Sequence, residues 1–324
     1  MNTATITKAV DERYTASASA PPHPAYCNAV AQAFGYSASD LLSIPSEANL
    51  GLSCGNPLAL ANLHEGETVI DLGCGAGLDC FLAARKVGGA GSVVGVDMNE
   101  VSPWFVFFHH VLLADGTAQT MLTKARENAS KAGISNTTFL LSRITAINLP
   151  DATADVVISN CVINLVPRDE KHLVFKEIFR LLKPGGRVAV SDILTKKGLS
   201  EEMKRDVALY VGCVAGASMK ADYEAWMEQA GFREVIIVDA GVDLNVYART
   251  ENKGVGAGCC EPKNVEDINV CSKERDRGSD GSCGSVNTIA GVSEGMKTNF
   301  QDVDLNQWAG QYLRSFKIFA VKGA

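Results

Sequence analysis

The chain has 324 residues, of which 46% are hydrophobic, 21% are charged and 7% are aromatic. This length predicts one large domain with additions, or two domains, and a core large enough to fold without disulfides. The 37 Asp and Glu outnumber the 30 Lys and Arg, and the formal charge of −7 argues against a nucleic-acid-binding protein, which would show a basic face. The sequence has no apolar signal segment near its start and no apolar run of about 18 residues, so we expect a cytoplasmic protein without a membrane span.

Ten cysteines are a large number for a protein that is expected in a reducing compartment. In such a compartment, thiols act as ligands or redox groups more often than they form structural disulfides. The cysteines are therefore the first candidates for chemistry.

Short β-like segments alternate with helical segments between residues 67 and 193. The predicted strands are 67–73, 91–97, 137–142, 155–160 and 186–192. The predicted helices are 78–88, 121–133 and 172–182. This alternation predicts βαβ units and an α/β fold with a doubly wound, mostly parallel sheet that helices cover on both faces.

The remainder of the chain is less regular. Helical patterns occupy residues 201–217 and 223–232, and a strand-like segment follows at 234–241. Residues 251–298 are rich in Gly, Ser and charge with little apolar periodicity, which is typical of a loose tail. Residues 304–322 are strand-like again.

A glycine-rich loop, DLGCGAG at residues 71–77, follows the first predicted strand and opens a helix. Leu78 stands where a dinucleotide-binding fingerprint has its third glycine, so we do not expect a pyrophosphate site. The remaining pattern resembles the first motif of class I S-adenosylmethionine-dependent methyltransferases, whose fold is Rossmann-like. In that family an acidic residue at the end of the next strand holds the ribose hydroxyls, and Asp97 stands at that place. An incidental strand–turn–helix is the alternative.

The resemblance implies S-adenosyl-L-methionine as the cofactor. Ile144 resembles the position that packs near adenine, and Asn160 ends a predicted strand at the side of the sheet where ligands bind. The cofactor-binding residues that we predict are Asp71, Gly73, Gly75, Asp97, Met98, Ile144 and Asn160.

Three cysteines lie in distinctive surroundings. Cys54 lies in the turn-rich LGLSCGNP, Cys161 follows a predicted strand in ISNCVINLVP, and Cys213 lies in LYVGCVAGA. With the glycine loop and LKPGG at 182–186, these stretches resemble arsenite S-adenosylmethionine methyltransferases over about residues 45–250. The resemblance implies that the three cysteines bind trivalent arsenic. It also implies arsenite and methylarsenite as substrates, glutathione or thioredoxin as the reductant, and arsenic detoxification as the role.

The chemistry of trivalent arsenic suits three thiolates. This soft centre takes three pyramidal sulfur ligands and keeps a lone pair opposite them. The lone pair can attack a sulfonium methyl group in line, so positioning supplies most of the catalysis and no general base is needed.

Two alternatives are a small-molecule C- or O-methyltransferase of the same fold, and a thiol protein that binds a metalloid without turnover. We expect Cys161 and Cys213 to be held rigidly, and Cys54, which lies on a loop, to be more mobile.

The other cysteines are less informative. Cys74 and Cys80, in and just after the glycine loop, are expected to pack in the core. Cys27 is either a redox partner of Cys54, as an upstream cysteine is in family members, or an ordinary packed thiol. Four further cysteines either capture arsenic, as adjacent tail cysteines are thought to do in this family, or are incidental thiols: Cys259, Cys260, Cys271 and Cys283. No C-x-x-C pair is present, so a structural zinc site is not expected.

The resemblance divides the chain into four predicted segments. Residues 1–50 form an N-terminal helical or loop segment, and 51–195 form the S-adenosylmethionine-binding domain. Residues 196–250 form an appended arsenic-binding region. The smaller C-terminal segment, 251–324, combines the loose tail with the strand-like end.

Residues 101–119 interrupt the family pattern, which continues directly from the second strand into a helix that begins Met-Leu. Removal of this stretch joins the flanking sequence as VDMNETMLTKAREN. The codons of its first and last residues are compatible with an intron start and end, and Ala114-Asp115 is compatible with a fungal branch sequence. We interpret the segment as translated intron in a fungal member of the family. The alternative is a genuine hydrophobic lid or partner-binding loop.

Overall fold

The computed structural model describes residues 2–99, 120–244, 246–249 and 313–323. These residues build a seven-stranded sheet in the order β3-β2-β1-β4-β5-β7-β6. The strands are β1 (Thr68–Leu72), β2 (Ser92–Asp97), β3 (Thr137–Leu141), β4 (Ala154–Asn160), β5 (Leu182–Thr195), β6 (Ile236–Asp239) and β7 (Leu313–Val321). Strands β1 to β5 are parallel to one another, whereas β7 is antiparallel to both β5 and β6. The predicted α/β fold with a doubly wound, mostly parallel sheet is confirmed.

Helices of the described residues cover both faces of this sheet. They are α1 (Thr3–Ser19), α2 (Pro24–Ala33), α3 (Ala38–Leu42), α4 (Leu58–Ala61), α5 (Leu78–Val87), α6 (Met121–Ala132), α7 (Lys171–Leu181), α8 (Glu201–Arg205), α9 (Val207–Val211), α10 (Lys220–Ala230) and α11 (Val246–Arg249). Helices α5 and α6 end at Gly88 and Gly133, as predicted, because glycine adopts the positive φ that such ends require. None of the described helices has the length and apolar character needed to cross a membrane.

Alternate residues of the central strands face opposite layers. In β1, Ile70 packs in the same core as Phe175 of α7, whereas Val69 packs in the opposite core with Phe81 of α5. Burial of both faces explains why these strands are almost continuously apolar rather than alternating.

Residues 201–217 have the pattern of one helix, but the structure breaks them into α8, α9 and a turn. Asp206 is extended (ψ 115°) and ends α8, and its carboxylate accepts a hydrogen bond from the N–H of Leu209 at 2.9 Å. The following turn passes through Cys213 at a φ of 64°. Gly216 then lies against the carbonyl oxygen of Asn164, where any side chain would collide. The break therefore brings the Cys213 turn onto the carboxyl end of the sheet.

The two C-terminal segments contribute strands to the same sheet as the predicted cofactor-binding domain. Strand β6, from segment 196–250, pairs with β7, from segment 251–324. Strand β7 also pairs along β5 from Leu313 to Val321. These strands are therefore part of the scaffold that shapes the site.

Residues 101–119 lie outside the described residues, but the residues that flank them are close together. Asn99 Oδ1 accepts a hydrogen bond from the N–H of Met121 at 3.0 Å, and Thr120 caps α6 by accepting from the N–H of Thr123 at 3.3 Å. The chain can therefore pass from β2 to α6 through the short junction that remains when 101–119 is removed. A genuine inserted loop would also have close ends, so the interpretation as translated intron stays a prediction.

A variant that lacks residues 101–119 is expected to fold, and to be more soluble and more active than the full chain. The deletion removes an apolar stretch that begins four positions after Asp97 in the sequence, and a displacement of Asp97 by about 1 Å can cost roughly 100-fold in rate. Soluble yield, thermal melting and calorimetry with S-adenosylhomocysteine provide the measurements. A shortened chain that does not fold, or that loses this ligand, would show that the segment is structural. Continuous coding sequence through the mature transcript would also exclude an intron.

Candidate active site

A cavity of about 150 Å³ lies at the carboxyl ends of β1, β2 and β4. In an open parallel sheet this edge is the usual ligand site, at the point where the strand order reverses. Here the reversal lies between β1 and β4. All of the predicted cofactor-binding residues line the cavity, namely Asp71, Gly73, Gly75, Asp97, Met98, Ile144 and Asn160.

The glycine loop lines this cavity with bare backbone at Gly73 and Gly75, which have no side chains. Gly73 has a φ of 71°, and a side chain there would collide with Val162. Gly75 has a φ of 52°, and a Cβ would meet only the sulfur of Met121 at 4.0 Å. The loop backbone at Gly75 is therefore open to a ligand, and its conformation favours glycine.

Asp97 ends β2 and holds the glycine loop in place. Its Oδ2 accepts a hydrogen bond from the N–H of Gly75 at 3.0 Å, and its Oδ1 accepts one from the N–H of Asn99 at 2.9 Å. Burial raises the pKa of this carboxyl, whereas these backbone donors lower it. Each carboxylate oxygen keeps a further lone pair, so Asp97 can still accept hydrogen bonds from ribose hydroxyls.

Acidic side chains outnumber basic ones in the cavity wall. Among the described lining residues, four are aspartates, Asp11, Asp71, Asp79 and Asp97, and Arg143 is the one Lys or Arg. Arg143 is also neutralised by Glu170 at 2.6 Å. Burial raises the pKa of Asp79 to about 6 and, together with the charge of Asp79, raises that of Asp71 well above its usual range. A ligand that carries positive charge fits such a wall, and S-adenosylmethionine carries an ammonium and a sulfonium group.

Helix α1 covers one side of the cavity, which the sequence did not predict. Thr7, Val10, Asp11 and Tyr14 of this helix all line the cavity wall. The Asn99 side chain anchors the helix by donating to Asp11 Oδ1 at 2.7 Å. An amphipathic pattern does not identify the surface on which a helix packs, so no local signal could have placed α1 here.

The three predicted arsenic-binding cysteines, which are far apart in sequence, come together beside this cavity. The sulfur atoms of Cys54 and Cys161 and a carboxylate oxygen of Asp192 all lie within 4.8 Å of one another. The thiol of Cys213 donates to the carbonyl oxygen of Cys161 at 3.2 Å. All three cysteines are buried, and Cys161 also lines the cavity. We call Cys54, Cys161 and Cys213 the thiol cluster.

The members of the thiol cluster are protonated at neutral pH. Burial raises the pKa of Cys54 to about 12. The hydrogen bond with Cys161, followed by burial, raises the pKa of Cys213 well above its usual value. For Cys161, the hydrogen bond with Cys213 lowers the pKa, but the hydrogen bond with Cys54 and burial outweigh it. A substrate must therefore accept the thiol protons when it binds.

Two members of the thiol cluster have a backbone conformation that side chains rarely adopt. Cys161 has a φ of 59° and Cys213 a φ of 64°. Such a conformation costs about 1–3 kcal/mol and persists only where the surrounding structure enforces it. The N–H of Cys161 donates to the Ser191 carbonyl at 2.9 Å, and that of Cys213 donates to the Tyr210 carbonyl at 3.0 Å. The backbone at both cysteines is thus fixed by hydrogen bonds, and the rigid placement of their sulfur atoms stays a prediction.

The loop that carries Cys54 is also held in place. Ser315 of β7 donates to the Cys54 carbonyl at 2.6 Å, and Tyr247 of α11 donates to the Ser53 carbonyl at 2.7 Å. Asn160 Oδ1 accepts the N–H of Cys54 at 3.2 Å. The structure thus gives Cys54 more support than its place on a loop suggested.

A buried polar network, which the sequence did not predict, supports the thiol cluster from below. Lys171 donates to the carbonyl of Gly216, to Ser218 Oγ at 3.1 Å and to Asn164 Oδ1 at 3.4 Å. Asn164 donates in turn to Asp192 Oδ1 at 2.8 Å. Burial lowers the pKa of Lys171 to about 8 and raises that of Asp192 to about 6. The network ties the Cys213 turn to β5.

Tyr14 approaches the thiol cluster from the opposite side. Its hydroxyl lies 3.9 Å from Cys213 Sγ. Burial, together with the nearby sulfur atoms of Cys213 and Cys161, raises the pKa of this phenol well above its usual value. The phenol therefore stays protonated and can donate to sulfur. Helix α1 thus lines the cavity and also contacts the thiol cluster through Tyr14.

The remaining cysteines agree with their predicted surroundings where the structure describes them. Cys74 and Cys80 are buried in the core around Gly95. None of the six described cysteines forms a disulfide, and Cys27 is buried, so its redox role stays a prediction. The tail cysteines lie outside the described residues: Cys259, Cys260, Cys271 and Cys283.

The Asp97→Ala variant is expected to bind S-adenosylmethionine more weakly by about 1.5–3 kcal/mol, because it loses charge-assisted hydrogen bonds. Arsenite affinity should change little, because Asp97 is not a member of the thiol cluster. Calorimetric titration with each ligand provides the measurement. Asp155→Ala is the matched control. Asp155 lies near the start of β4, at the amino ends of the strands and away from the cavity, and its carboxylate also accepts a backbone N–H, that of Thr68. An unchanged cofactor affinity in Asp97→Ala would show that Asp97 is not the ribose ligand.

Known proteins resemble this chain over its central part. An arsenite methyltransferase from Halobacterium salinarum is 44% identical over 203 residues, which cover 63% of this chain and 46% of that protein. The arsenite methyltransferase of Mus musculus is 32% identical over 196 residues, which cover 59% and 47% of the two chains. The chain thus spans about half the length of the curated relatives that it matches.

Solved structures share the fold. An arsenic(III) S-adenosylmethionine methyltransferase from Chlamydomonas reinhardtii has a TM-score of 0.51 and 24% identity, over 94% of this chain and 75% of that one. A phosphoethanolamine N-methyltransferase from Haemonchus contortus, in complex with S-adenosylmethionine, has a TM-score of 0.56 and 18% identity, over 92% and 57%. A family model described as a methyltransferase domain matches residues 63–102 and 110–231, half of the chain. The chain therefore belongs to the methyltransferase family and has the class I S-adenosylmethionine-dependent fold.

Proposed function

We propose that this chain transfers methyl groups from S-adenosylmethionine to trivalent arsenic that is bound by Cys54, Cys161 and Cys213. The observation that carries the proposal is the convergence of three buried thiols beside a cavity of the methyltransferase type, with Cys161 part of both. The relatives named arsenite methyltransferase support the same substrate. A methyltransferase for carbon or oxygen would not need this cluster.

Arsenite itself accepts the protons of the thiol cluster when it binds. Each exchange forms one As–S bond, breaks one As–O and one S–H bond, and releases water. Three exchanges leave a neutral tris-thiolate and no free proton, so the raised pKa values of the thiols do not prevent binding. Methylarsenite, which has one position filled by carbon, requires two exchanges.

The chain orients the arsenic and excludes water from it. Bound S-adenosylmethionine supplies an electrophilic methyl group on a sulfonium. The fixed sulfur directions of Cys161 and Cys213 set the direction of the arsenic lone pair, and such positioning supplies most of the rate. Helix α1 covers the cavity and keeps Tyr14 near Cys213, which limits the access of water. No described side chain is needed as a general base, because the lone pair carries no proton.

A thiol reductant completes the proposed cycle. Transfer of a methyl cation to the lone pair oxidises arsenic from the trivalent to the pentavalent state. Two electrons return it to the trivalent state, and they come from two thiols that form a disulfide. We propose glutathione or thioredoxin as the reductant of that disulfide, and the cytoplasm, where such reductants keep thiols reduced, as the compartment.

The test of this function is product speciation. The full chain is incubated with arsenite, S-adenosylmethionine and either glutathione or thioredoxin, and arsenic species are separated by chromatography. Mono- and dimethylated arsenic are the expected products. Tight arsenite binding with no methylated product would instead identify a protein that only binds the metalloid, and the absence of both would overturn the proposal.

A further inference from the structure

Asn160 stands between the cofactor cavity and the loop of Cys54. Its Oδ1 accepts a hydrogen bond from the N–H of Cys54 at 3.2 Å and lies 3.8 Å from the Cys54 thiol. Its Nδ2 lies 3.0 Å from the Gly55 carbonyl on the same loop. One carboxamide therefore fixes both the backbone and the thiol of the first predicted arsenic ligand.

The cavity side of Asn160 contacts an acidic residue. Asn160 Nδ2 donates to Asp79 Oδ2 at 3.0 Å. The other carboxylate oxygen, Asp79 Oδ1, accepts a hydrogen bond from the hydroxyl of Tyr36 at 2.7 Å. Asp79 is buried, and both Asp79 and Asn160 line the cavity. A continuous path of hydrogen bonds thus runs from the cavity wall through Asp79 and Asn160 to Cys54.

We infer that Asn160 is a positioning residue that couples cofactor binding to arsenic binding. A carboxamide must turn its oxygen toward Cys54 whenever its nitrogen faces the Asp79 carboxylate. A positively charged group of the ligand, such as the ammonium that S-adenosylmethionine and S-adenosylhomocysteine share, keeps Asp79 as a charged acceptor. It so favours the orientation in which Cys54 is held. By thermodynamic reciprocity, arsenic on Cys54 favours cofactor binding by the same factor. The inference rests on the proposed function, because it requires that Cys54 binds arsenic.

The chemistry of the path explains why the residue is an asparagine. The residue has to donate to a carboxylate and accept from an N–H at once. An aspartate at 160 accepts on both sides and repels Asp79.

Calorimetry on the full chain tests the coupling. Arsenite is titrated in buffer that contains a phosphine reductant and no small thiol, with and without saturating S-adenosylhomocysteine, which has no methyl group to transfer. Arsenite is expected to bind the wild type about 10-fold more tightly when this ligand is present. The ratio should fall to about 1 in Asn160→Asp.

A structural defect alone lowers both affinities but leaves their ratio unchanged, so the ratio isolates the coupling. Asn136→Asp is the matched control, because the Asn136 amide also donates more than one hydrogen bond, to the carbonyls of Ala84 and Gly88, but does not line the cavity. Its ratio should equal that of the wild type. Asp79→Ala removes the carboxylate that accepts from Asn160, and it should also bring the affinity ratio to about 1. This second variant keeps the inference testable if Asn160→Asp does not fold.

Two failures remain distinguishable. A wild-type ratio of 1 with tight arsenite binding, or an undiminished ratio in Asn160→Asp or Asp79→Ala, would overturn the coupling but leave the proposed function in place. A wild type that binds S-adenosylhomocysteine but no arsenite would overturn the proposed function.

Discussion

Serine at position 161 or 213 is expected to abolish methylation of both arsenite and methylarsenite. Serine offers a hard oxygen donor that soft arsenic binds poorly. The loss of one chelating thiol also removes an intramolecular binding step, which lowers arsenite affinity by about 10²–10⁴-fold. Both cysteines have a positive φ and buried sulfur atoms, so neighbouring thiols cannot replace them.

The Cys54→Ser variant is expected to behave differently. It should no longer methylate arsenite but should still methylate methylarsenite, which needs only the two thiols of Cys161 and Cys213. Chromatographic speciation with each substrate provides the measurement. Cys80→Ser is the matched control, because it replaces a buried cysteine that belongs neither to the thiol cluster nor to the cavity wall, and it should still methylate both substrates. A Cys161→Ser or Cys213→Ser protein that methylates both substrates would exclude the tris-thiolate mechanism.

The parts of the site that lie at strand ends could be predicted from sequence. Gly73, Gly75 and Asp97 each stand within a few residues of a strand whose apolar run is obvious, and parallel strands bring their carboxyl ends to one edge. Asn160 and Cys161 follow the same rule. Local pattern and topology therefore suffice for the part of the cofactor wall that the strand ends form.

The supports of the thiol cluster could not be predicted, because they depend on distant contacts. Ser315 and Cys54 are 261 residues apart in sequence, yet the hydroxyl of one donates to the carbonyl of the other. Helix α1 reaches the cavity by packing against Asn99 and α9, which no periodicity indicates. Asp79 is the exception, since an acid in the otherwise apolar helix sequence LDCFLAA indicates a buried carboxylate with a specific partner.

The buried charges of Lys171 and Asp192 beside the thiol cluster also could not be predicted from the sequence, because Lys and Asp are normally exposed. Lys171 and Asp192 are buried at 1% and 0% exposure and are joined through Asn164. Such a pair is a weak source of net stability when intact, but the loss of one partner leaves an uncompensated buried charge. The pair therefore makes the Cys213 turn sensitive to single substitutions.

Lys171→Met is expected to lower the free energy of unfolding by about 3–5 kcal/mol, because it leaves Asp192 uncompensated and removes the donor to the Gly216 carbonyl. Urea denaturation at neutral pH provides the measurement. Lys183→Met is the matched control, because Lys183 pairs with Asp155 at 2.8 Å on the surface and should cost no more than about 1 kcal/mol.

The double variant Lys171→Met/Asp192→Asn should recover part of the lost stability, since an asparagine at 192 keeps the hydrogen-bonding shape without the charge. Lys171→Met should then lower the free energy of unfolding more when Asp192 is present than when position 192 carries the Asn substitution, and the same should hold for Asp192→Asn with respect to Lys171. A double variant whose loss equals the sum of the two single losses would show that the residues are not coupled. In that case the Cys213 turn would be held by its own backbone hydrogen bonds, those to Tyr210 and Leu209, rather than by the charge beneath it.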